Sequence, residues 1–281
     1  MTEPSSLTNQ RSAARLGDGE RLENLTTSRG GDARHRVDRV VLPCGASVVR
    51  KHYGRKRGKL RDAIQHYGRF LMRKSGIDPR RRLRVESETI ELWRRSGFDA
   101  PRVLGIEDAE DPPSLELEWI EGETLGNVLR CADTPLPDKI RLVERLAREC
   151  GKRHRRAYEL QEPRLFLEHP TCHHFLVAGD RLVAIDFEVT FIGRAFFDVI
   201  VKRELSGLLR TIAKSSGPDA DETVRAFVRT YERRERFRMV ARMLRHGTVP
   251  VVGRVLMRFD PARRQKRARI ADLVEQAMSV A

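Results

Sequence analysis

The chain has 281 residues, of which 40% are hydrophobic and 34% charged, enough apolar content to bury a core and too much for a disordered chain. Its 55 Lys and Arg against 40 Asp and Glu leave a net charge of +15, so its expected partners are anionic: nucleic acid, an anionic membrane face, or a phosphorylated or acidic substrate. Cys44, Cys131, Cys150 and Cys172 lie far apart with no Cys-x-x-Cys pair, which argues for reduced thiols in a cytoplasmic protein and against a disulfide framework.

No apolar run approaches the roughly 18 residues that a membrane-spanning helix needs. The N-terminal stretch lacks the apolar core of a signal peptide, and polar residues 1–25 are expected to be flexible. His35 to Leu42 alternates and ends at Pro43-Cys44-Gly45, a turn signal; with Ala46 to Tyr53 it reads as an antiparallel hairpin. Residues 50–84 then carry fourteen Lys and Arg against two Asp, with a basic insert over 54–79 that holds a short amphipathic piece from Leu60 to Met72. Asp78-Pro79 signals a helix start, and the helix runs from Arg80 to about Arg95, stopping at Ser96-Gly97. Val103 to Ile106 and Leu115 to Trp119 read as strands around the Asp111-Pro112-Pro113 turn, with a short helix from Thr124 to Arg130.

From Pro137 to Glu159, residues Ile140, Leu142, Val143, Leu146, Ala147 and Cys150 recur at helical spacing. Phe175 to Val177 and Leu182 to Ile185 flank Gly179-Asp180, a pair suited to a two-residue hairpin turn. Phe196 to Ala213 predicts a strongly apolar helix, and three more are expected over Asp221 to Arg245, Val251 to Met257 and Ala262 to Met278. Strands with one helix, followed by a helical half, define an α+β chain.

Four places carry residues suited to chemistry. Lys51 ends the apolar run Ser47-Val48-Val49-Arg50-Lys51. Glu86 lies near the start of the next helix, ahead of Trp93, Gly97 and Pro101. Leu115 to Gly122 leads a strand into a break, and Asp186-Phe187-Glu188 ends the second strand of the later hairpin. An acid past an apolar strand, beside Phe, resembles the Asp-Phe-Gly corner of protein-kinase-like phosphotransferases, where the Asp holds Mg²⁺ on the ATP phosphates.

The order of these parts resembles the lipopolysaccharide-core sugar kinases, the Kdo and heptose kinases, over residues 35–215. That family has a lysine strand, a long basic segment before the Glu helix, and a catalytic loop ending in His-Phe-Leu-Leu, matched here by His174-Phe175-Leu176-Val177. The resemblance implies a two-lobed protein-kinase-like fold: an N-lobe over 26–121, and a helical C-lobe over 122–281 with the catalytic-loop hairpin at 163–188. It implies ATP and Mg²⁺ as cofactors. Lys51 and Glu86 would orient the phosphates, the hinge around Glu118 and Ile120 would hold the adenine, and Asp186 with His174 would hold the metal. Asp198 resembles the buried acid that braces the catalytic loop, and Arg29-Gly30-Gly31 is the available glycine-loop match.

One position departs from the pattern. The superfamily's catalytic Asp lies five positions before the residue that opens the hairpin, and five before His174 is His169. A neutral imidazole accepts a proton, so His169 can stand in as base; Glu168 can do so if the loop shifts. The first reading is therefore an ATP-dependent phosphotransferase acting on a sugar or glycolipid hydroxyl, cytoplasmic and peripheral on the inner membrane face. Two alternatives stand beside it: a pseudokinase that binds nucleotide or an anionic partner, and a basic nucleic-acid-binding protein. For the basic segment 50–84 and the stretch Arg258 to Arg269, sparse aromatics favour an anionic membrane or glycolipid over single-stranded nucleic acid. A zinc site at His169, Cys172, His173 and His174 is disfavoured, because consecutive side chains of an extended strand point to opposite faces.

Overall fold

The computed structural model describes residues 20–25, 36–54, 78–188, 190–191, 197–246 and 260–279. Their architecture is α+β, with a small antiparallel sheet in the N-terminal part and a mostly helical C-terminal part. The expected amphipathic piece Leu60 to Met72, most of the basic insert, Arg29-Gly30-Gly31 and the helix Val251 to Met257 lie outside the described residues.

The first sheet holds β1 (Glu20–Asn24), β2 (Arg36–Val41), β3 (Ser47–His52), β4 (Val103–Glu107) and β5 (Ser114–Glu118), in spatial order β1-β2-β3-β5-β4. β2 and β3 form the expected hairpin, with Val40 opposite Val48 and Val37 opposite Lys51. Side chains alternate across a strand. Val48 therefore joins Val40, Leu42 and Leu104 in a small cluster, while Val49 and Tyr53 join Leu115 and Leu117 in the main core. Lys51 shares the parity of Val49 and Tyr53, so β3 delivers a cation to the core side of the sheet. β1 corrects the expectation of a flexible segment over 1–25: residues 20–24 pair antiparallel with β2. An open β2 edge presents backbone groups that need partners, and β1 supplies them without a strong strand signature of its own.

Helix α1 (Pro79–Arg95) starts where the Asp-Pro pair predicts, because the Asp78 carboxylate accepts the Arg81 N–H at 3.0 Å and Pro79 occupies the first turn. Leu83, Glu86, Ile90 and Trp93 are buried at helical spacing. Trp93 ties α1 to the C-terminal part: its Nε1–H donates to the Arg164 carbonyl at 3.0 Å, and its ring meets Phe187 edge-on at 4.8 Å.

The second sheet is three-stranded, β6 (Glu123–Thr124), β7 (Phe175–Ala178) and β8 (Arg181–Ala184). Helices α2 (Leu125–Arg130), α3 (Leu136–Leu160), α4 (Phe197–Ser216), α5 (Ala220–Thr230), α6 (Arg236–His246) and α7 (Pro261–Ser279) follow among the described residues. The single helix expected over Asp221 to Arg245 is two. Tyr231 leaves the helical path at φ −67° and ψ 130°. Its buried hydroxyl is then reached by His154 Nδ1 at 2.8 Å and by the Arg236 guanidinium at 3.2 Å. Among the described residues no helix is long and apolar enough to cross a membrane.

Candidate functional site

Three carboxylates from two remote stretches of chain converge on the ammonium of Lys51. Nζ lies 3.0 Å from Glu86 Oε2 on α1, 3.0 Å from Asp186 Oδ1 just after β8, and 3.0 Å from Glu188 Oε1. An ammonium has three donors, and three carboxylates take them. Burial alone would lower the Lys51 pKa, but Asp186, Glu188 and Glu86 outweigh it and hold the group well above its ordinary value. Lys51 is therefore charged at neutral pH.

Each carboxylate has further support. Glu86 is buried; its Oε2 accepts the Tyr53 hydroxyl at 2.5 Å and its Oε1 the Phe187 backbone N–H at 3.3 Å. Lys51 and Tyr53 are two apart on one face of the strand line, so a single carboxylate reaches both. Desolvation raises the Glu86 pKa against the pull of Lys51. For Asp186 desolvation also raises it, but Lys51 prevails and the carboxyl sits below its ordinary value. Glu188 is gripped a second time by Arg82, a buried guanidinium one turn before Glu86 that also donates to the Gly54 carbonyl at 3.3 Å.

Asp186 has a φ of 67°. A non-glycine residue there carries about 1–3 kcal/mol of backbone strain, of the kind found where function dictates geometry. Its side chain is 41% exposed, in contrast to 1% for Glu86, so it is the member of the cluster that solvent or a ligand reaches. Oxygens of Glu86, Asp186 and Glu188 lie within 4.8 Å of one another. Such hard donors suit Mg²⁺.

His174 lies beside Asp186, with Nε2 3.4 Å from Oδ2. Desolvation lowers its pKa despite Asp186, so the ring is neutral at pH 7. Its backbone N–H donates to the Thr171 carbonyl at 3.1 Å, so His174 couples Asp186 to the loop that precedes the hairpin. Cys172 to His174 form a 3-10 turn, and among the described residues the grouping of potential metal ligands is the carboxylate trio, not the His and Cys set.

That loop runs along one face of α4. The Leu167 N–H donates to Glu204 at 3.0 Å, Glu168 pairs with Arg203 at 3.3 Å, and the Cys172 N–H donates to the Thr211 hydroxyl at 3.1 Å. Between these, Pro170 lies so close to Gly207 that a Cβ there would sit 2.4 Å from the proline ring. Residues 203, 207 and 211 are four apart, one face of a helix. His169 projects outward from this seam, its side chain 64% exposed and in contact with Glu168 through Nε2.

Glu204 is the buried acid that braces the loop, and sequence reasoning missed it. It is fully buried between Arg153 and His154. Desolvation opposes ionisation, but Arg153 and His154 prevail and lower its pKa to about 2. Asp198, expected in this role, is instead exposed and accepts the Tyr158 hydroxyl at 2.5 Å. The available signal was an acid set among Ile200, Val201, Leu205 and Leu208, a position only a paired charge tolerates. Glu188 was missed as well, although it lies two residues after Asp186.

The hinge expectation has a different geometry from that of the Lys51 group. Glu118 ends β5 and its carboxylate turns to Arg102, accepting the backbone N–H at 3.1 Å and the guanidinium at 3.2 Å. Its own N–H donates to the Arg102 carbonyl at 2.9 Å, and Ile120 is half-buried in the segment leading to β6. Neither side chain is among the groups around Lys51. No protein-family model matches the chain, and no curated protein matches it.

Proposed function

We propose that this chain is an ATP-dependent, protein-kinase-like phosphotransferase acting on a hydroxyl of a sugar or lipopolysaccharide-type glycolipid. The observation that carries the reading is the meeting of Lys51 from a strand, Glu86 from the next helix and Asp186 from the end of the hairpin, all within 3.0 Å of one ammonium. Phosphoryl transfer asks a protein mostly for positioning and charge neutralisation, and a buried Lys–Glu pair beside an accessible carboxylate supplies the parts. Lys51 would bind the phosphates, Glu86 would orient Lys51, and the segment around Glu118 and Ile120 would take the adenine.

Mg²⁺ fits the donors present. Asp186 and Glu188 would hold it through carboxylate oxygens; when bound it neutralises phosphate charge. His174, expected as a ligand, serves better to orient Asp186, because its Nε2 is engaged by Asp186 Oδ2 at 3.4 Å. The net charge of +15 supports an anionic acceptor, of which a phosphorylated glycolipid at a membrane face is one.

The pseudokinase reading keeps one observation of its own: His169 stands where a catalytic carboxylate is expected. Thermal stabilisation by ATP, with and without Mg²⁺, in wild type and Asp186→Ala tests both readings. Saturation at 100 times Kd adds about 2.7 kcal/mol to a protein that binds only when folded. A Mg²⁺-dependent shift lost in Asp186→Ala is expected. No shift in wild type refutes nucleotide binding, and a shift without phosphate transfer leaves the pseudokinase.

A further inference from the structure

We infer that Glu168 and His169 form a general-base dyad in which the buried carboxylate positions the exposed imidazole, so that the missing catalytic aspartate is replaced by two residues acting as one. The inference rests on the phosphotransferase reading. It starts from how tightly the loop is fixed. Leu167 is held to Glu204, Glu168 to Arg203, Pro170 is seated on Gly207 and Cys172 is held to Thr211. Beyond the loop, the His174 N–H donates to the Thr171 carbonyl at 3.1 Å and its ring lies 3.4 Å from Asp186. A residue whose neighbours are pinned on both sides has little freedom to wander, which is the condition for a group that must meet a reacting atom in one geometry.

Within this pinned stretch the two residues have opposite exposures. Glu168 has a side chain 2% exposed, and its Oε1 lies 3.3 Å from the Arg203 guanidinium. Its Oε2 contacts His169 Nε2, and the rest of the His169 ring faces solvent. The ion-pair contact of Glu168 with Nε2 would favour the tautomer that carries the proton there, with Nδ1 as the acceptor. The same carboxylate stabilises the imidazolium that forms when Nδ1 takes a proton, which is how an orienting acid works behind a catalytic histidine. Arg203 directs Glu168 from its other oxygen, 3.3 Å from Oε1.

The step balances as follows. The acceptor hydroxyl gives its proton to His169 Nδ1 as its oxygen bonds to the γ-phosphorus of ATP. The bond from that phosphorus to the β,γ-bridging oxygen breaks, and its electron pair leaves with ADP. The imidazolium then returns the proton to solvent. Glu168 touches no reacting atom and is a positioning residue.

A double-mutant cycle on the full chain tests this. ADP formation from Mg-ATP, with water and with lipopolysaccharide core oligosaccharide as acceptors, is measured for wild type, Glu168→Gln, His169→Ala and the double variant, together with thermal stabilisation by Mg-ATP. His169→Ala alters an exposed side chain and is expected to fold. The expected result is a fall in turnover of about 10²–10⁴-fold for His169→Ala and about tenfold or more for Glu168→Gln, with KM for ATP and the thermal shift unchanged. In the His169→Ala background, Glu168→Gln should then cost less than about twofold, because it has no imidazole left to position. His169→Asp, which restores a carboxylate directly, should regain turnover and lose its dependence on Glu168. Independent, multiplying losses refute the dyad while leaving the phosphotransferase standing. A wild type that binds Mg-ATP without turnover refutes the dyad and leaves nucleotide binding, whereas absence of any Mg-ATP shift refutes both.

Discussion

The carboxylate of Glu204 accepts the backbone N–H of Leu167 at 3.0 Å, and through that contact a charge on α4 fixes the loop that carries His169. The same carboxylate neutralises Arg153, whose guanidinium also donates to the Leu165 carbonyl and lies 4.7 Å from the Trp93 ring. Glu204 thus sits at the junction of α3, α4, the loop and, through Trp93, α1. Its ion pair does not need to be worth much against an apolar pair of the same volume to matter, because removing one partner leaves the other buried and uncompensated.

Glu204→Gln should therefore destabilise the fold by about 3–5 kcal/mol at pH 7, read as a lower urea midpoint at unchanged slope. The pH dependence follows from the sign of the shift. The folded pKa of about 2 lies below the ordinary carboxylate value of 4.5, so this stabilisation is fully present above the unfolded value and disappears as pH falls from about 5 to 2. The difference corresponds to on the order of 3 kcal/mol. Wild type should lose that amount between pH 6 and pH 2.5 relative to Glu204→Gln; parallel stability curves would contradict the assignment.

The sequence made the frame legible because its signals were local. Asp78-Pro79 marked the α1 start to within one residue, the Pro43-Cys44-Gly45 turn marked the first hairpin, and Gly179-Asp180 marked the second. Lys51 and Asp186 were readable as site candidates because each stands at or just past the end of a strand, and Glu86 because it lies on the buried face of the next helix. Glu204 and Glu188 were not, since their meaning lies in partners 51 and 106 residues away. The break at Tyr231 was hidden for a related reason: helical periodicity continues across it, and only the hydroxyl's buried contact with His154 on α3 selects the turn. β1 escaped because an edge strand answers the needs of its neighbour more than its own propensity.

Tyr53→Phe should show how firmly Glu86 is held. The substitution removes the hydroxyl 2.5 Å from Glu86 Oε2 and keeps the ring in the core. Hydrogen bonds to a charged group are worth ~1.5–3 kcal/mol, and the carboxylate keeps Lys51 and the Phe187 N–H as partners, so a loss near the lower end, about 1.5 kcal/mol, is expected in urea unfolding. An unchanged midpoint would mean that the hydroxyl contributes nothing to fixing Glu86.

Gly126→Ala has a sign that depends on one neighbour. Within α2 the change should stabilise by up to ~1 kcal/mol through helix propensity. A Cβ at this position, however, would lie 2.3 Å from the His173 ring, whose Nδ1 is 3.5 Å from the Thr124 hydroxyl and whose Nε2 is 3.4 Å from the Arg130 guanidinium. The overlap should dominate and destabilise by about 1–3 kcal/mol. In a His173→Ala background the same substitution should become neutral or stabilising. Thermal denaturation of the four variants checks this, and a penalty that persists without the ring would rule out the imidazole as its cause.

On the proposed nucleotide-binding reading, Glu188→Gln bears on how the cluster would receive a phosphate. Lys51 has three donors and three carboxylates take them, so any phosphate oxygen must displace one. Glu86 is locked by Tyr53 and the Phe187 N–H, and Asp186 by a backbone in the left-handed region. Glu188, half-buried and shared with Arg82, is the carboxylate able to give way. Neutralising it removes one negative charge from the space that phosphates enter and weakens a competitor for the ammonium. Binding of ATP without Mg²⁺ should tighten about tenfold, the equivalent of ~1.4 kcal/mol, and the gain from adding Mg²⁺ should shrink, because the metal loses a carboxylate ligand. Titration of ATP by calorimetry in the presence and absence of Mg²⁺ gives both quantities. If Mg²⁺-free affinity is equal or weaker in the variant, Glu188 is a structural partner of Arg82 and Lys51 and does not gate the phosphate position.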